Sequence, residues 1–386
     1  MTILLINYEY PPIGAGAAKA TRHIAKALVE LGHNAVVLTA GFRDAVGHSI
    51  EDGGVHVYRL PSRRASISQS NPREMMSFVW HAWKGLDRVI TEHRPDAAVI
   101  FFSIPCGVLG LRLRRRYRVP YIVSLRGGDV PGLVPELDGI HRILRSLRRR
   151  ILQRAVAVVA NSRGLAALSK KHDPQPVAVI HNGVDSDFMR PAAHAKNAHT
   201  ELSLLFVGRL QPQKNLVKVF EAMARLKSAG AITLTIVGEG PQSAELHAQA
   251  KSLGVDGSIT WLPWQTKEHL RELYQRADVL INYSLYEGMP NVVAEAMACG
   301  VPVIVSNIMG HDELVEHGRS GLIVNLDDAD GLDAALASLM LDQERRAALG
   351  HAARQRMTQD FSWKKTADEY VRLFQQRGTL GVNKEA

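Results

Sequence analysis

The chain has 386 residues, 46% of them hydrophobic, which is enough for more than one α/β core and unlike a disordered chain. Its two cysteines, Cys106 and Cys299, lie far apart, a pattern that offers neither a disulfide framework nor a cysteine zinc site. The net charge of +9 is uneven: residues 1–190 hold 27 Lys and Arg against 15 Asp and Glu, whereas residues 191–386 hold 20 against 23. The N-terminal half is therefore expected to meet something anionic: a membrane surface, a phosphorylated acceptor or nucleic acid.

Along the chain, apolar strand-like runs alternate with helical periodicity, the pattern of parallel sheets covered on both faces. The opening run, Met1–Asn7, is short and has no basic flank, so it reads as a buried strand and not as a secretory leader. No stretch of about 18 apolar residues follows, so no membrane span is expected, and the expected location is cytoplasmic. The further runs of the first half are Ala35–Leu38, Val55–Tyr58, Ala97–Phe102, Tyr121–Leu125, Ala155–Ala160 and Val177–Ile180. Helices are expected over Ala17–Leu31 and Arg73–His93, and from a Ser162 cap to His172. Pro191–Thr200 is small, polar and aperiodic and reads as a linker. A second series then begins, with strands Leu202–Val207, Ile232–Val237, Ile259–Leu262, Val279–Asn282, Val301–Ser306 and Gly321–Val324. Helices are expected after Asn215 and over Gln242–Leu253, Lys267–Arg276 and Pro290–Ala298, and an amphipathic tail runs from Phe361 to Gln376. The expected domains are 1–190, a linker at 191–200, 201–360, and a terminal helix within 361–386 that crosses back to the first domain.

Two segments carry chemistry. From Glu287 through Gly288, Met289, Pro290 and Asn291 to Glu295, a carboxylate sits in a Gly/Pro loop just after a strand, with a helix opening behind it. A helix N-terminus is an anion site, and carboxylates on either side suit a phosphorylated sugar, amides taking the phosphate and carboxylates the hydroxyls. The competing reading is an acidic helix start that answers the helix dipole. Earlier, a strand ends at Gly208, and Arg209 and Lys214 follow before the helix that begins after Asn215. Two cations at the carboxyl end of a parallel strand suit a diphosphate; the competing reading is an exposed basic loop.

Gly208–Leu210 with Lys214 and Asn215, then Val237–Pro241, then Glu287 and Glu295 at their spacing, then Ala296–Pro302, together resemble family 4 of the retaining glycosyltransferases. Tyr10–Gly16 with Ala25, Leu28, Gly32, His33 and Thr39 resembles that family's opening strand, glycine loop and helix, so the resemblance covers nearly the whole chain. It implies an α/β protein of the GT-B class, two Rossmann-like parallel-sheet domains facing a cleft, and transfer of a sugar from a nucleotide-diphosphate sugar with retention of configuration. By the same resemblance, Arg209 and Lys214 grip the donor diphosphate and stabilise the leaving group. Glu295 holds the donor ribose, and Glu287 stands beside the donor sugar. Gly288, Met289, Pro290 and Asn291 contact sugar and phosphate, the loop with Leu262 and Trp264 holds the base, and Gly14 and Gly16 approach the donor phosphates or the acceptor.

One departure stands out. Many members of the family carry His-Gly after the strand matching Tyr121–Leu125, where this chain has Arg126 and, three residues on, Asp129. Arg126 either contacts an anionic donor or acceptor or forms an ion pair with Asp129. Three other patterns are set aside. Gly14–Gly16 is no dinucleotide fingerprint, because position 19 is lysine. Asp185 and Asp187 have the look of a metal-binding pair, but they follow Asn182 and Gly183 and read as a turn. The 16 histidines show no ligand spacing, so no metal is expected.

The run from Ile140 to Arg154 has apolar residues at 140, 143, 144, 147, 151 and 152, with Arg142, Arg145, Arg148, Arg149, Arg150 and Arg154 largely off that stripe. It is either a core-packed helix with a solvated face or, with the cluster Arg112–Arg118, a docking surface for anionic lipid. No nucleic-acid recognition motif is present. The expectation is thus a metal-independent retaining glycosyltransferase without a cofactor. It would use a UDP- or GDP-sugar and a glycan or lipid-linked acceptor, in cell-envelope polysaccharide synthesis, at or near the inner membrane face. A nucleotide-sugar epimerase of the same fold and a non-catalytic sugar-nucleotide binding protein are the alternatives.

Overall fold

The computed structural model describes residues 1–14, 16–43, 45–67, 70–192 and 201–381, the last five through their backbone alone. The expected linker, 191–200, lies outside these residues except for Pro191 and Ala192. The chain divides into two compact units, Met1–Gly183 joined by the segment from Trp363, and Val184–Ser362. The division falls at Gly183, ahead of the linker, because Val184 and Met189 already belong to the core of the second unit.

The first unit holds strands β1 (Thr2–Ile6), β2 (Asn34–Ala40), β3 (Gly47–Glu51), β4 (Val55–Leu60), β5 (Ala97–Phe101), β6 (Tyr121–Leu125), β7 (Ala157–Ala160) and β8 (Val177–Val179). They form one sheet in the order β3-β4-β2-β1-β5-β6-β7-β8. All neighbours pair in parallel except β3, which runs antiparallel to β4. The interleaved helices are α1 (Gly16–Glu30), α2 (Pro72–His93), α3 (Gly107–Arg112), α4 (Asp138–Ile143), α5 (Arg145–Arg154) and α6 (Arg163–His172). The central strands β1, β5 and β6 are buried at nearly every residue, as a sheet covered on both faces requires.

The second unit contains β9 (Leu202–Val207), β10 (Ile232–Val237), β11 (Ile259–Leu262), β12 (Val279–Asn282), β13 (Val303–Ser306) and β14 (Gly321–Val324). The sheet order is β11-β10-β9-β12-β13-β14, all parallel. Counted within the unit this is 3-2-1-4-5-6, the doubly wound nucleotide-binding order. Its helices are α7 (Leu216–Leu226), α8 (Ser243–Ser252), α9 (Lys267–Arg276), α10 (Asn291–Ala298), α11 (His311–Leu314), α12 (Gly331–Leu341) and α13 (Gln343–Asp360). One core cluster includes Phe206, Phe220, Leu234 and Leu336 from β9, α7, β10 and α12. A second includes Leu205, Tyr274, Val293 and Met357 from β9, α9, α10 and α13. Leu204 and Leu205, adjacent on one strand, fall in different clusters, as the period of two along a strand dictates.

The last helix, α14 (Trp363–Gly381), packs in the first unit. Its buried Tyr370 hydroxyl lies 2.8 Å from Ser124 Oγ on β6, Thr366 donates to the His181 carbonyl, and Trp363 stacks on His23 of α1.

Candidate active site

In a doubly wound sheet the ligand crevice opens at the carboxyl ends of the strands where the order reverses, here between β9 and β12. The loops leaving these two strands are laced together. The Leu285 amide donates to the Gln213 carbonyl at 2.8 Å, and Gln213 Nε2 donates to the Tyr286 carbonyl. Lys214, closing the short 3-10 turn Pro212–Lys214, donates from Nζ to Glu287 Oε1. Both side chains are about one-eighth exposed, 12% and 13%, so the pair is shielded yet open to a ligand. Ser284 Oγ donates to the same Glu287 oxygen at 3.0 Å and also contacts Asn282 Oδ1 at 2.7 Å. Glu287 Oε2 takes no hydrogen bond from the described residues, and Glu287 accounts for only one of the three N–H groups of the Lys214 ammonium.

Glycine makes this close approach possible. Gly238, after β10, has φ +139, and a Cβ on it would stand 2.0 Å from the Gly208 carbonyl oxygen. Gly310, after β13, has φ +87, and a Cβ there would stand 2.2 Å from the Gly288 oxygen. Neither position admits a side chain without moving backbone, so the strand-end loops pack directly on one another.

Arg209 follows Gly208 in the β9 loop, and partial burial lowers its pKa. Pro290 is the N-cap of α10, not a residue of its first turn, and Asn291 opens the helix, which has no side-chain cap. Met289 is buried in the core with residues of α9, α10 and α13. Glu295, one turn into α10, accepts a hydrogen bond at 3.0 Å from the Tyr274 hydroxyl of α9. Burial, then the Glu295 charge, pushes the Tyr274 phenol far up, which keeps it a neutral donor. Leu262 ends β11 and takes the Gly238 amide on its carbonyl; Trp264, two residues on, is exposed.

In the first unit, Gly14 lies in the loop after β1 with its amide on the Ile67 carbonyl, and Gly16 opens α1. Arg126 and Asp129 are neighbours, but not through a guanidinium–carboxylate pair. The Asp129 carboxylate accepts the backbone amides of Arg126 at 2.9 Å and Ser103 at 2.6 Å, and burial raises its pKa. The Arg126 guanidinium instead donates to Asn182 Oδ1 at 2.7 Å and to the Tyr370 hydroxyl at 3.3 Å, over the Phe101 ring. Its Nε is buried without a partner, which leaves one charged donor unspent.

His311 stands outside every motif of the sequence. The imidazole is fully buried at the start of α11, interacts electrostatically with Glu287 and Lys214, and has no partner for Nε2. A histidine just beyond a buried strand end was the available signal. The expectation of a single cationic helix also needs correction. The run is two helices, α4 and α5, meeting at Leu144, and Arg148 is not a surface cation. It is buried, with Nε 2.7 Å from Asp173 Oδ2, while Arg149 reaches Oδ1 of the same carboxylate. Ile140 and Ile143, expected on the core stripe, are exposed. Asp185 caps a turn by accepting the Phe188 amide and pairs with Lys267. No group of metal-ligating side chains that could hold an ion occurs among the described residues.

Two doubly wound sheets, one carrying a cation–carboxylate pair at its switch point, define a protein of the GT-B fold. Residues 189–356 match the family model of glycosyl transferases group 1, and residues 15–183 match that of the glycosyl transferase 4-like domain. A D-inositol 3-phosphate glycosyltransferase of Rhodococcus jostii is 31% identical over 331 residues, spanning 78% of this chain and 70% of that protein. A glycogen synthase of Mycobacterium tuberculosis is 28% identical over 98% of this chain and 96% of its own. The structure of a sucrose-phosphate synthase from Thermosynechococcus elongatus superposes with a TM-score of 0.85 at 22% identity, covering 98% of this chain and 99% of the other. The chain belongs to the group 1 glycosyltransferases of family 4.

Proposed function

We propose that the protein moves a sugar from a nucleotide-diphosphate sugar to a glycan or lipid-linked acceptor, with retention of configuration and without a metal ion. The observation that carries this reading is the Lys214–Glu287 pair at the switch point of the second sheet. Lys214 keeps two N–H groups for diphosphate oxygens, and Arg209 adds a planar fork of donors on the same loop. Together they supply positive charge that stabilises the negative charge developing on the departing nucleoside diphosphate as the sugar–oxygen bond breaks, so catalysis rests on positioning and charge stabilisation. Glu287 Oε2 is left to accept a donor-sugar hydroxyl. Glu295, oriented by Tyr274, accepts the ribose hydroxyls. The amides around Gly288 and Asn291 meet sugar and phosphate, and the loop with Leu262 and Trp264 carries a uracil or guanine base. Gly16 meets the donor phosphates, and Gly14 and Arg126 with Asp129 serve the acceptor or sugar side. Two of the similar proteins described above are named for phosphorylated substrates or products, which favours an anionic acceptor group.

The basic N-terminal half and the exposed cations of the Arg142–Arg154 segment, without Arg148, favour work at the inner face of an anionic membrane, in cell-envelope polysaccharide synthesis. No helix among the described residues is long and apolar enough to cross a membrane.

The test is donor kinetics. Arg209→Ala or Lys214→Ala should lower kcat/KM by on the order of 10²-fold or more, in a protein that remains folded and with EDTA present throughout. An unchanged kcat/KM in the folded double variant would overturn the diphosphate assignment, and loss of wild-type activity in EDTA would overturn metal independence.

A further inference from the structure

Helix α2 is capped at Asn71 by a reciprocal box with Glu74 and buries Phe78, Val79, Ala82, Leu86 and Val89. Its outward face is not the polar face that such a helix needs for solubility alone. Met76 is 59% exposed, Trp80 60% and Trp83 42%. With Arg73 and Lys84, also exposed, these positions fall on one helical stripe.

The cations around the stripe are organised on its indoles. Lys84 Nζ stands 4.4 Å above the Trp80 ring, and the Arg112 guanidinium stands 4.5 Å above Trp83. The acid on this side, Asp87, is held by Arg112 at 2.9 Å and by Arg116 at 3.7 Å. Beyond it, Arg114, Arg115 and Arg116 are exposed. The face is therefore aromatic, flanked by cations, and its carboxylate is already paired.

We infer that this stripe of α2 is a docking surface for an anionic bilayer. Trp80, Trp83 and Met76 would enter the headgroup region, and Lys84, Arg73 and the arginines after α3 would lie at phosphate level. Indoles with an apolar body and a polar N–H partition to that depth, and a helix with aromatic residues beside cations lies in the interface plane. A second copy of the chain fits poorly, because it would set cations against cations. Nucleic acid fits less well, because Lys84 and Arg112 each already stand over one face of an indole that would stack on a base. The inference rests on the membrane part of the proposed function and is independent of the donor chemistry.

The experiment uses the whole protein with vesicles of phosphatidylglycerol and phosphatidylethanolamine, or of phosphatidylcholine alone, read by sedimentation and tryptophan emission. Binding should rise with phosphatidylglycerol, fall with salt over the range set by a Debye length of about 8 Å at physiological ionic strength, and shift the emission to the blue. The double variant Trp80→Ser/Trp83→Ser should lose about tenfold or more of its vesicle partition, with circular dichroism and soluble-donor turnover unchanged. Met76→Ser with Lys84→Ser gives the same test without touching tryptophan. If both variants bind like wild type while Arg142→Ser/Arg145→Ser does not, the surface is elsewhere: the inference fails and the membrane reading stands. If wild type binds neither vesicle, both fail, and donor turnover still judges the transferase reading. If the tryptophan variants abolish a concentration-dependent dimer, the stripe is a self-association face and the inference is overturned.

Discussion

His311 shows how a single buried group reports on the candidate site. Its Nδ1 is 2.9 Å from the Ser306 carbonyl oxygen, which places the proton on Nδ1 and leaves Nε2 a buried lone pair. Burial lowers its pKa below the ordinary value; Lys214 acts in the same direction, and Glu287 opposes. The folded state therefore keeps the ring neutral. As pH falls through about 6.5, the unfolded chain takes up a proton that the folded chain refuses. The contribution of His311 to stability is complete above that pH and declines below it, by up to about 1.4 kcal/mol per pH unit until the folded pKa is reached. His311→Asn retains a donor for Ser306 without the titration. Urea unfolding between about pH 7.5 and pH 5 should show a shallower pH slope for the variant, and equal slopes would reject a buried neutral imidazole. The sequence makes positions legible at this scale: Gly208 and the Gly288–Pro290 punctuation mark strand ends, and so put Lys214 and Glu287 at one edge of one sheet. It does not show that their side chains meet, because spacing along a chain carries no information about which strand ends lie side by side. His311 was hidden among 16 histidines for the same reason.

Among the elements, the buried parallel strands were readable because each is a short apolar run. β3 was not, since Gly47–Glu51 has one aliphatic residue and that residue, Ile50, faces solvent. It exists by pairing with β4, and pairing leaves no trace in local periodicity. The α4–α5 segment failed differently. In the sequence an arginine reads as an outward residue, yet Arg148 lies one turn from Leu144 and Ile151 on the inward face, and its charge is met by Asp173 on a distant segment. Taking one partner from such a pair leaves an isolated buried charge, which costs about 3–5 kcal/mol, while replacing both with apolar side chains is often neutral or stabilising. Arg148→Met or Asp173→Leu alone should therefore lower the urea midpoint sharply, and Arg148→Met with Asp173→Leu should recover most of the loss. Residual pairing of Arg149 with Asp173 makes the Arg148 variant the milder of the two. Two mild single variants would mean that the pair is solvated.

At the scale of the whole molecule, the two units differ in how the chain builds them. The second is one continuous segment, Val184–Ser362, with a core on each face of its sheet. The first is assembled from two segments separated by that entire unit. The amphipathic tail is readable as a helix, and the expected return to the first domain is what the structure shows, although its periodicity does not say which residues of that unit it meets. In the structure it buries Trp363, Ala367, Tyr370, Val371 and Phe374, and Tyr370 joins Ser124 and Arg126 at the end of β6. Burial of a large apolar side chain contributes about 1.5–3 kcal/mol, so these residues together contribute on the order of 10 kcal/mol, comparable to the whole stability of a domain, about 5–15 kcal/mol. Residues 1–362 should thus contain an unfolded first unit. Limited proteolysis should digest 1–183 and spare a core beginning near Val184. The fragment 184–362 should unfold cooperatively on its own. If the donor site is built as proposed, a nucleoside diphosphate at 100 times its Kd should stabilise that fragment by about 2.7 kcal/mol. A 1–362 chain that resists protease like the full protein would show that β1–β8 and α1–α6 hold their core without α14. A fragment that folds but gains no stability from uridine or guanosine diphosphate would leave the fold standing and remove the donor site from the second unit.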